Sequence, residues 1–350
     1  MRQVPESVRL AYALPALALA VVGLPVYVHV PKFYTDVVGL QASGVGLVVL
    51  VVRLTDALTD PVFGKISDST HSIWGRRRPY IALGSFPLAL MLCLLFNPPH
   101  AGPLWSLRWF TGSMFLVFLF WTAVEVPYEA LGPEITLDYD ERTRLLGARD
   151  GFVLLGILLA VILPVLIQRG LNLDNSPDAE RTKFMLMAWI YAPSVVLSCW
   201  VCALVVPERN WANRHGKASS TFWRDLRRSL DNRPFVILLS AYTISSFGSN
   251  LPATLILYYV QYVLESARAD AFLLMYFVTG ILFLPLWILL ARRVGKKASW
   301  LSAMAVNTGA FAGVFFLGPV TKKPTAFSSF SLESVLEAPL PYPRPCRRTS

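Results

Sequence analysis

Long apolar runs separated by short polar joints make up most of this chain. A helix needs about 20 apolar residues to cross a bilayer. Runs near that length recur nine times, at 10–30, 42–62, 79–96, 110–131, 152–167, 184–206, 235–264, 271–291 and 300–320. The pattern predicts an all-α, polytopic transmembrane bundle of about nine spans.

The polar joints differ in charge. Those after even-numbered spans carry Lys65, Arg76, Arg77 and Arg78, then Arg142, Arg144 and Arg149, then Arg209 to Arg233, then Arg292, Arg293, Lys296 and Lys297. The opposite joints are nearly bare, with Lys32, Arg108, Arg169, Arg181, Lys183 and Arg268. This alternation predicts a cytoplasmic N-terminus and a plasma membrane, the inner membrane in a bacterium. It also accounts for the net charge of +10 without a nucleic-acid partner. Composition agrees: 55% hydrophobic, 15% charged, mean hydropathy +0.51, against roughly a quarter charged in soluble domains. The first run is a full span with no clear cleavage site, so no removable signal peptide is expected. Cys93, Cys199 and Cys202 fall inside spans and read as packing residues, while Cys346 lies in the tail.

The longest joint, 207–234, is basic and polar, and it divides the chain. Residues 1–206 are expected to form an N-terminal six-helix half, 207–234 a cytoplasmic linker, and 235–320 a partial C-terminal half of three helices. WGRRRPY after span two is echoed by ARRVGKK after span eight, and Leu24-Pro25 by Leu251-Pro252, as in a parallel repeat. Residues 321–350, rich in Ser and Pro, read as a disordered or aberrant tail. Two accounts stand for it: a genuine short tail, or the altered end of a twelve-helix carrier that lacks its last helices.

Ionisable residues inside the spans carry the chemistry. A charge at mid-bilayer costs about 2.5–3.5 kcal/mol on insertion scales, so it needs a partner or a task. In RLTDALTDPVFGK, Arg53, Asp56 and Asp60 follow an apolar run at spacings i, i+3 and i+7, which puts them on one helix face. Span four repeats the spacing with Thr122, Glu125 and Glu129 in FWTAVEVPYEALGPEIT, beside Pro127. Hard oxygen ligands from two helices would enclose Na⁺; crowded carboxyls would alternatively carry H⁺. A static ion-pair network that sets helix register is the competing account. The surplus of acids over Arg53 favours a cation site.

The turn GKISDSTHSIWGRRRPY is a second kind of signal. Gly64 and Gly75 permit close approach, while Asp68, Arg76, Arg77 and Arg78 can latch neighbouring helix ends on the cytoplasmic side. It resembles the loop motif of the major facilitator superfamily, with extra residues before Gly-Arg-Arg.

FYTDVVGL at 33–40, RLTDALTDPVFG, the GRRRP turn, VPYEALGPEIT and LDYDERTR at 137–144 together resemble the glycoside–pentoside–hexuronide:cation symporters, the melibiose-permease-like branch of that superfamily. The likeness runs from about residue 12 to residue 149. It implies a cation site at Asp56, Asp60 and Thr122, with Thr59 where some members carry an amide. It also implies a sugar site at Glu125 and Arg149, with Glu129 read as a third substrate-binding position and Arg53 balancing the acids. Two positions depart from the galactoside carriers: Ala20 stands for the helix I acid, and Glu129 for the stacking aromatic on helix IV. Galactoside specificity is therefore not implied.

The resemblance implies a monomeric secondary transporter that couples Na⁺ or H⁺ to a sugar, glycoside or uronide. No cofactor is implied, nor any metal beyond Na⁺ at Asp56 and Asp60. A lysolipid or other amphiphile on the same fold, or a non-transporting fragment, are the alternatives. An enzyme is not expected, because the polar loops hold no nucleophile–base pair, phosphate loop or metal-ligand cluster. His29 reads as a packing residue among apolar neighbours. Tyr27, Trp121, Tyr128, Tyr258, Tyr259 and Tyr262 read mostly as packing or interfacial aromatics.

Overall fold

The computed structural model describes residues 4–208, apart from 71, 101, 173 and 175, together with residues 230–244 and scattered positions between 275 and 309. Six helices among the described residues are long and apolar enough to cross a membrane: α1 (Glu6–Asp36), α2 (Ala42–Ser69), α3 (Arg78–Phe96), α4 (Pro103–Ile135), α5 (Tyr139–Gly170) and α6 (Pro177–Val205). They correspond to the first six apolar runs. A shorter apolar helix, α7, covers Arg233–Ile244, at the start of the seventh run. The tail expected at 321–350 and most of the expected linker lie outside the described residues.

Most of these helices outrun the apolar windows that predicted them. At 1.5 Å per residue the 33 residues of α4 extend about 50 Å, against about 30 Å of hydrocarbon. The surplus turns project beyond the apolar layer. There charged residues cost little, and Leu, Glu and Arg keep good helix propensity. LDYDERTR, read as a basic joint, is therefore largely the first turns of α5. Asp138 caps that helix, accepting from the backbone N–H of Asp140 at 3.0 Å and of Glu141 at 3.2 Å. Ser176 caps α6 by accepting from Ala179 N–H at 3.2 Å, with Pro177 at the first helical position. Pro127 and Pro133 sit inside α4 without ending it.

Compact units run over Met1–Tyr242 and Thr243–Ser350. In the first unit α1 packs on α5 and α6, α3 on α4 and α6, and α2 on α4. Tight seams join these helices. A Cβ placed on Gly156 of α5 would stand 2.5 Å from the Leu17 carbonyl oxygen and 2.8 Å from the Ala20 Cβ, both on α1. Only a residue without a side chain allows that approach. The end of the bundle away from the arginine-rich turn is closed by aromatics: Phe33 stacks on Phe184 with centroids 4.1 Å apart, and the Tyr34 hydroxyl donates to the Leu95 carbonyl at 2.8 Å.

α2 is covered least. Leu47, Leu50, Leu54 and Leu58 are exposed on it, whereas Val45, Val48 and Val52 are buried. Its polar residues thus hang from a helix that touches the described bundle on one side.

Gly156→Leu should separate α1 from α5, because both atoms it meets belong to a backbone or a Cβ and cannot swing away. The expected loss is about 1–3 kcal/mol, read as a lower unfolding temperature of the detergent-solubilised protein than for Gly147→Leu, a position with open space around it.

Candidate functional site

The two helices singled out by their acids face each other. The Thr122 hydroxyl of α4 donates to Asp56 Oδ1 of α2 at 2.7 Å. Thr122 is buried and Asp56 is half-buried, so the contact stands at the inner edge of the uncovered face. Thr59 donates to the Asp56 backbone carbonyl at 3.1 Å, which leaves its lone pairs free on the same helix face. Asp60, one turn further, is exposed. It lies within electrostatic reach of both Asp56 and Glu125. The structure therefore brings Thr122 onto the Asp56 carboxylate, leaves Thr59 bonded to the Asp56 backbone, and puts Asp60 at the rim.

The expected substrate residues separate into two groups. Glu125 accepts from the Trp121 indole N–H at 2.5 Å, an i, i+4 contact along α4. Arg149 of α5 turns to acids: its guanidinium donates to Asp150 Oδ1 at 2.9 and 3.0 Å and stands 3.7 Å from Glu129. Glu129, which replaces a stacking ring, therefore acts here as an ion-pair partner across the α4–α5 seam. Asp150 was not anticipated, since a surface acid beside an arginine gives no signal in a sequence. Arg53 lays its guanidinium over the Tyr27 ring, 4.0 Å from the centroid, and 5.2 Å from that of Phe118. Tyr27 belongs to a π-helical turn, Pro25–His29, within α1. Such turns are frequent at functional sites because they displace a side chain from α-helical register. Tyr128 is a packing residue: it stacks near Tyr12 with centroids 5.0 Å apart and donates to the Tyr12 carbonyl at 2.7 Å. Tyr258, Tyr259 and Tyr262 lie outside the described residues.

The arginine-rich turn is tied into the bundle. Arg77 donates to Asp68 Oδ1 at 2.8 Å and stands 3.0 Å from Glu134, while Arg76 reaches Glu134 at 2.6 Å. Glu208, just past α6, accepts from the backbone N–H groups of Arg76 and Arg77 at 3.0 and 3.1 Å. The Arg78 guanidinium donates to the Val206 carbonyl. A carboxylate at the start of α3 meets unpaired N–H groups and the positive end of the helix. Gly75 makes room for it: its φ of +107° suits glycine, and a Cβ there would strike the Glu208 carboxylate. Gly64 sits inside α2 in ordinary contact range of Val126. Glu134 and Glu208 are the residues that sequence reasoning missed. The spacing S/T-x-x-E that flags a local cap has no counterpart for a cap supplied from 130 residues away.

The fold is shared with solved transporter structures. It superposes on the nucleoside transporter NupG with a TM-score of 0.67 at 11% identity, covering 94% of this chain and 79% of that one. The xylose transporter XylE of E. coli gives 0.61 at 14% identity, covering 94% and 81%. The chain belongs to the MFS/sugar transport protein family, whose sequence model matches residues 11–332. It is 35% identical over 184 residues to an uncharacterized symporter, sll1374, of Synechocystis sp., covering 51% of this chain and 33% of that protein. It is 27% identical over 303 residues to the isoprimeverose transporter of Lactiplantibacillus pentosus, covering 86% and 62%. Likewise, it is 27% identical over 282 residues to a putative glycoside/cation symporter, YagG, of Escherichia coli, covering 79% and 59%. The chain thus spans between a third and two thirds of these relatives. The resemblance drawn from the motifs to glycoside–cation symporters agrees with these relatives, and transport rather than enzyme chemistry is what they share.

Glu208→Ala should leave the backbone N–H groups of Arg76 and Arg77 without the carboxylate they donate to, while the Arg76 guanidinium keeps Glu134. Unfolding in detergent should show a loss of about 1–3 kcal/mol, larger than for Asp68→Ala, whose side chain is 55% exposed.

Proposed function

We propose that the chain works as a cation-coupled secondary transporter that carries a sugar, glycoside or uronide by alternating access in the plasma membrane. In this reading its N-terminus and arginine-rich turn face the cytoplasm, where the positive-inside rule puts them. The observation that carries it is the Thr122–Asp56 contact of 2.7 Å between two spanning helices, with Asp60 one turn away. Carboxylate and hydroxyl oxygens from two helices supply the hard ligands that Na⁺ takes. A carboxylate held by a single hydroxyl is equally able to accept H⁺. Neutralising the acids removes the charge that resists closure of the protein around them. Cation binding and substrate movement are then linked through one equilibrium. Glu125 supplies an acceptor for sugar hydroxyls, and Arg149, steadied by Glu129 and Asp150, a donor. Arg53 offsets part of the acid charge in the unloaded state. The turn from Asp68 to Arg78, held by Glu134 and Glu208, keeps this end of α2, α3, α4 and α6 moving as one piece. The relatives named as an isoprimeverose transporter and a glycoside/cation symporter support the choice of cargo.

Asp56→Cys and Asp60→Cys should each abolish accumulation of substrate against its gradient in proteoliposomes with an imposed Na⁺ or H⁺ gradient. Energy-independent exchange across the same vesicles should continue. Full accumulation in both variants would remove the coupling assignment.

A further inference from the structure

Exposed apolar residues on the spans are what contact with lipid requires, but Ile73 and Trp74 lie off the spans. They are 99% and 52% exposed, in the otherwise polar turn between α2 and α3. A single apolar side chain on a surface calls for no explanation. Two in succession on a braced turn do. The Thr70 and Tyr80 hydroxyls meet at 2.7 Å across its base, the Gly75 N–H donates to the Ser72 carbonyl at 3.1 Å, and Glu208 holds the Arg76 and Arg77 backbone. The frame that displays the pair is therefore fixed, and the two side chains need a cover from outside it.

Depth in the bilayer names that cover. Exposed apolar residues on α2 run from Leu47 through Leu50, Leu54, Leu58 and Val62 to Ile66. At 1.5 Å per residue this stripe is about 28 Å long, against about 30 Å of hydrocarbon. Ile66 thus marks the edge of the hydrocarbon, and the turn that follows falls among the headgroups, a layer about 5–8 Å deep on each side. Lys65, exposed at the end of the stripe, has a stem long enough to carry its ammonium to the phosphates. An indole, with an apolar body and one N–H donor, is satisfied at that same boundary. A second turn repeats the feature, with Leu137 and Tyr139 exposed between α4 and α5. The Arg76–Glu134 pair at 2.6 Å shows that both turns lie at one end of the bundle.

We infer that Ile73 and Trp74, joined by Leu137 and Tyr139, form an anchor that enters the acyl–headgroup boundary of the leaflet at the arginine-rich end, with phospholipid as its partner. The anchor depends on neither the cargo nor the coupling ion. Because Arg76 and Arg77 tie this turn to Asp68, Glu134 and Glu208, lipid that grips Ile73 and Trp74 also sets the depth of α2, α3, α4 and the end of α6.

The test places a nitrobenzoxadiazole dye on Ile73→Cys or, separately, Leu137→Cys in the full chain. Cys93→Ala and Cys346→Ser accompany each, while Cys199 and Cys202 are shielded by burial. In phosphatidylcholine–phosphatidylglycerol vesicles, with iodide present on both sides, the dye should be quenched by lipid spin-labelled near the headgroup. Iodide quenching should be at least about threefold weaker than for the same dye on glutathione, since a side chain at the boundary is withdrawn from water. Trp74→Cys, labelled alike, decides if an Ile73 or Leu137 variant does not fold. Strong iodide quenching with weak lipid quenching overturns the anchor, since the turn then stands in water. Weak quenching by both overturns it as well, since protein then covers the pair.

Discussion

In hydrocarbon no water solvates a charge, so each ionised side chain must find its partner within the protein. The Asp56–Thr122 contact is where this constraint bears hardest, because it pairs a carboxylate with a neutral hydroxyl instead of a base. A lone hydroxyl offers one hydrogen bond to a group that can accept several. Thr59 bonds to the backbone of Asp56, and the exposed Asp60 carboxylate follows one turn along α2. In the proposed function this arrangement takes a visiting cation in place of a permanent salt bridge. It also fixes how α2 must sit against α4, since the polar contact is met at one register only.

The two ends of the six-helix unit meet the same constraint differently. At the arginine-rich end, Asp68, Glu134 and Glu208 converge on three successive arginines and on the start of α3, tying α2, α3, α4 and the end of α6 together. At the other end, stacked rings and single hydrogen bonds to backbone carbonyls do the joining. Both ends are braced by well-partnered contacts. Between them stand the interior groups whose partners are weaker or replaceable: Asp56 on a hydroxyl, Arg53 on ring faces, Glu125 on an indole. The proposed transport calls for that division, with a stiff frame around interactions that can be exchanged.

Particular residues show how far a sequence reaches. The apolar runs located all six described spans, because solvation by lipid acts on each residue independently of its neighbours in space. Their ends were set too short where helices continue past the hydrocarbon, as at Glu134 and in LDYDERTR, since hydropathy measures the solvent and not the hydrogen-bond ladder. The i, i+3, i+7 spacing placed Arg53, Asp56 and Asp60 on one face, and Thr122 was legible through the resemblance to a family. Neither source showed Glu129 and Asp150 gripping Arg149, or Tyr27 beneath Arg53. The second depends on a π-turn, which shifts register by one residue and leaves no mark that composition or spacing records.

Patterning along the chain determined that this protein spans a membrane as helices, which segments cross, and which ionisable residues are carried into the apolar layer. These follow from transfer energies and from a 3.6-residue period, both local. Tertiary structure alone decided partners: that Thr122 meets Asp56, that Glu208 caps a helix 130 residues earlier in the chain, and that Arg53 rests on aromatic faces and not on an acid. Pairing depends on where separate helices come to lie against one another, and seams such as Gly156 against Leu17 set that through close packing of atoms distant in sequence.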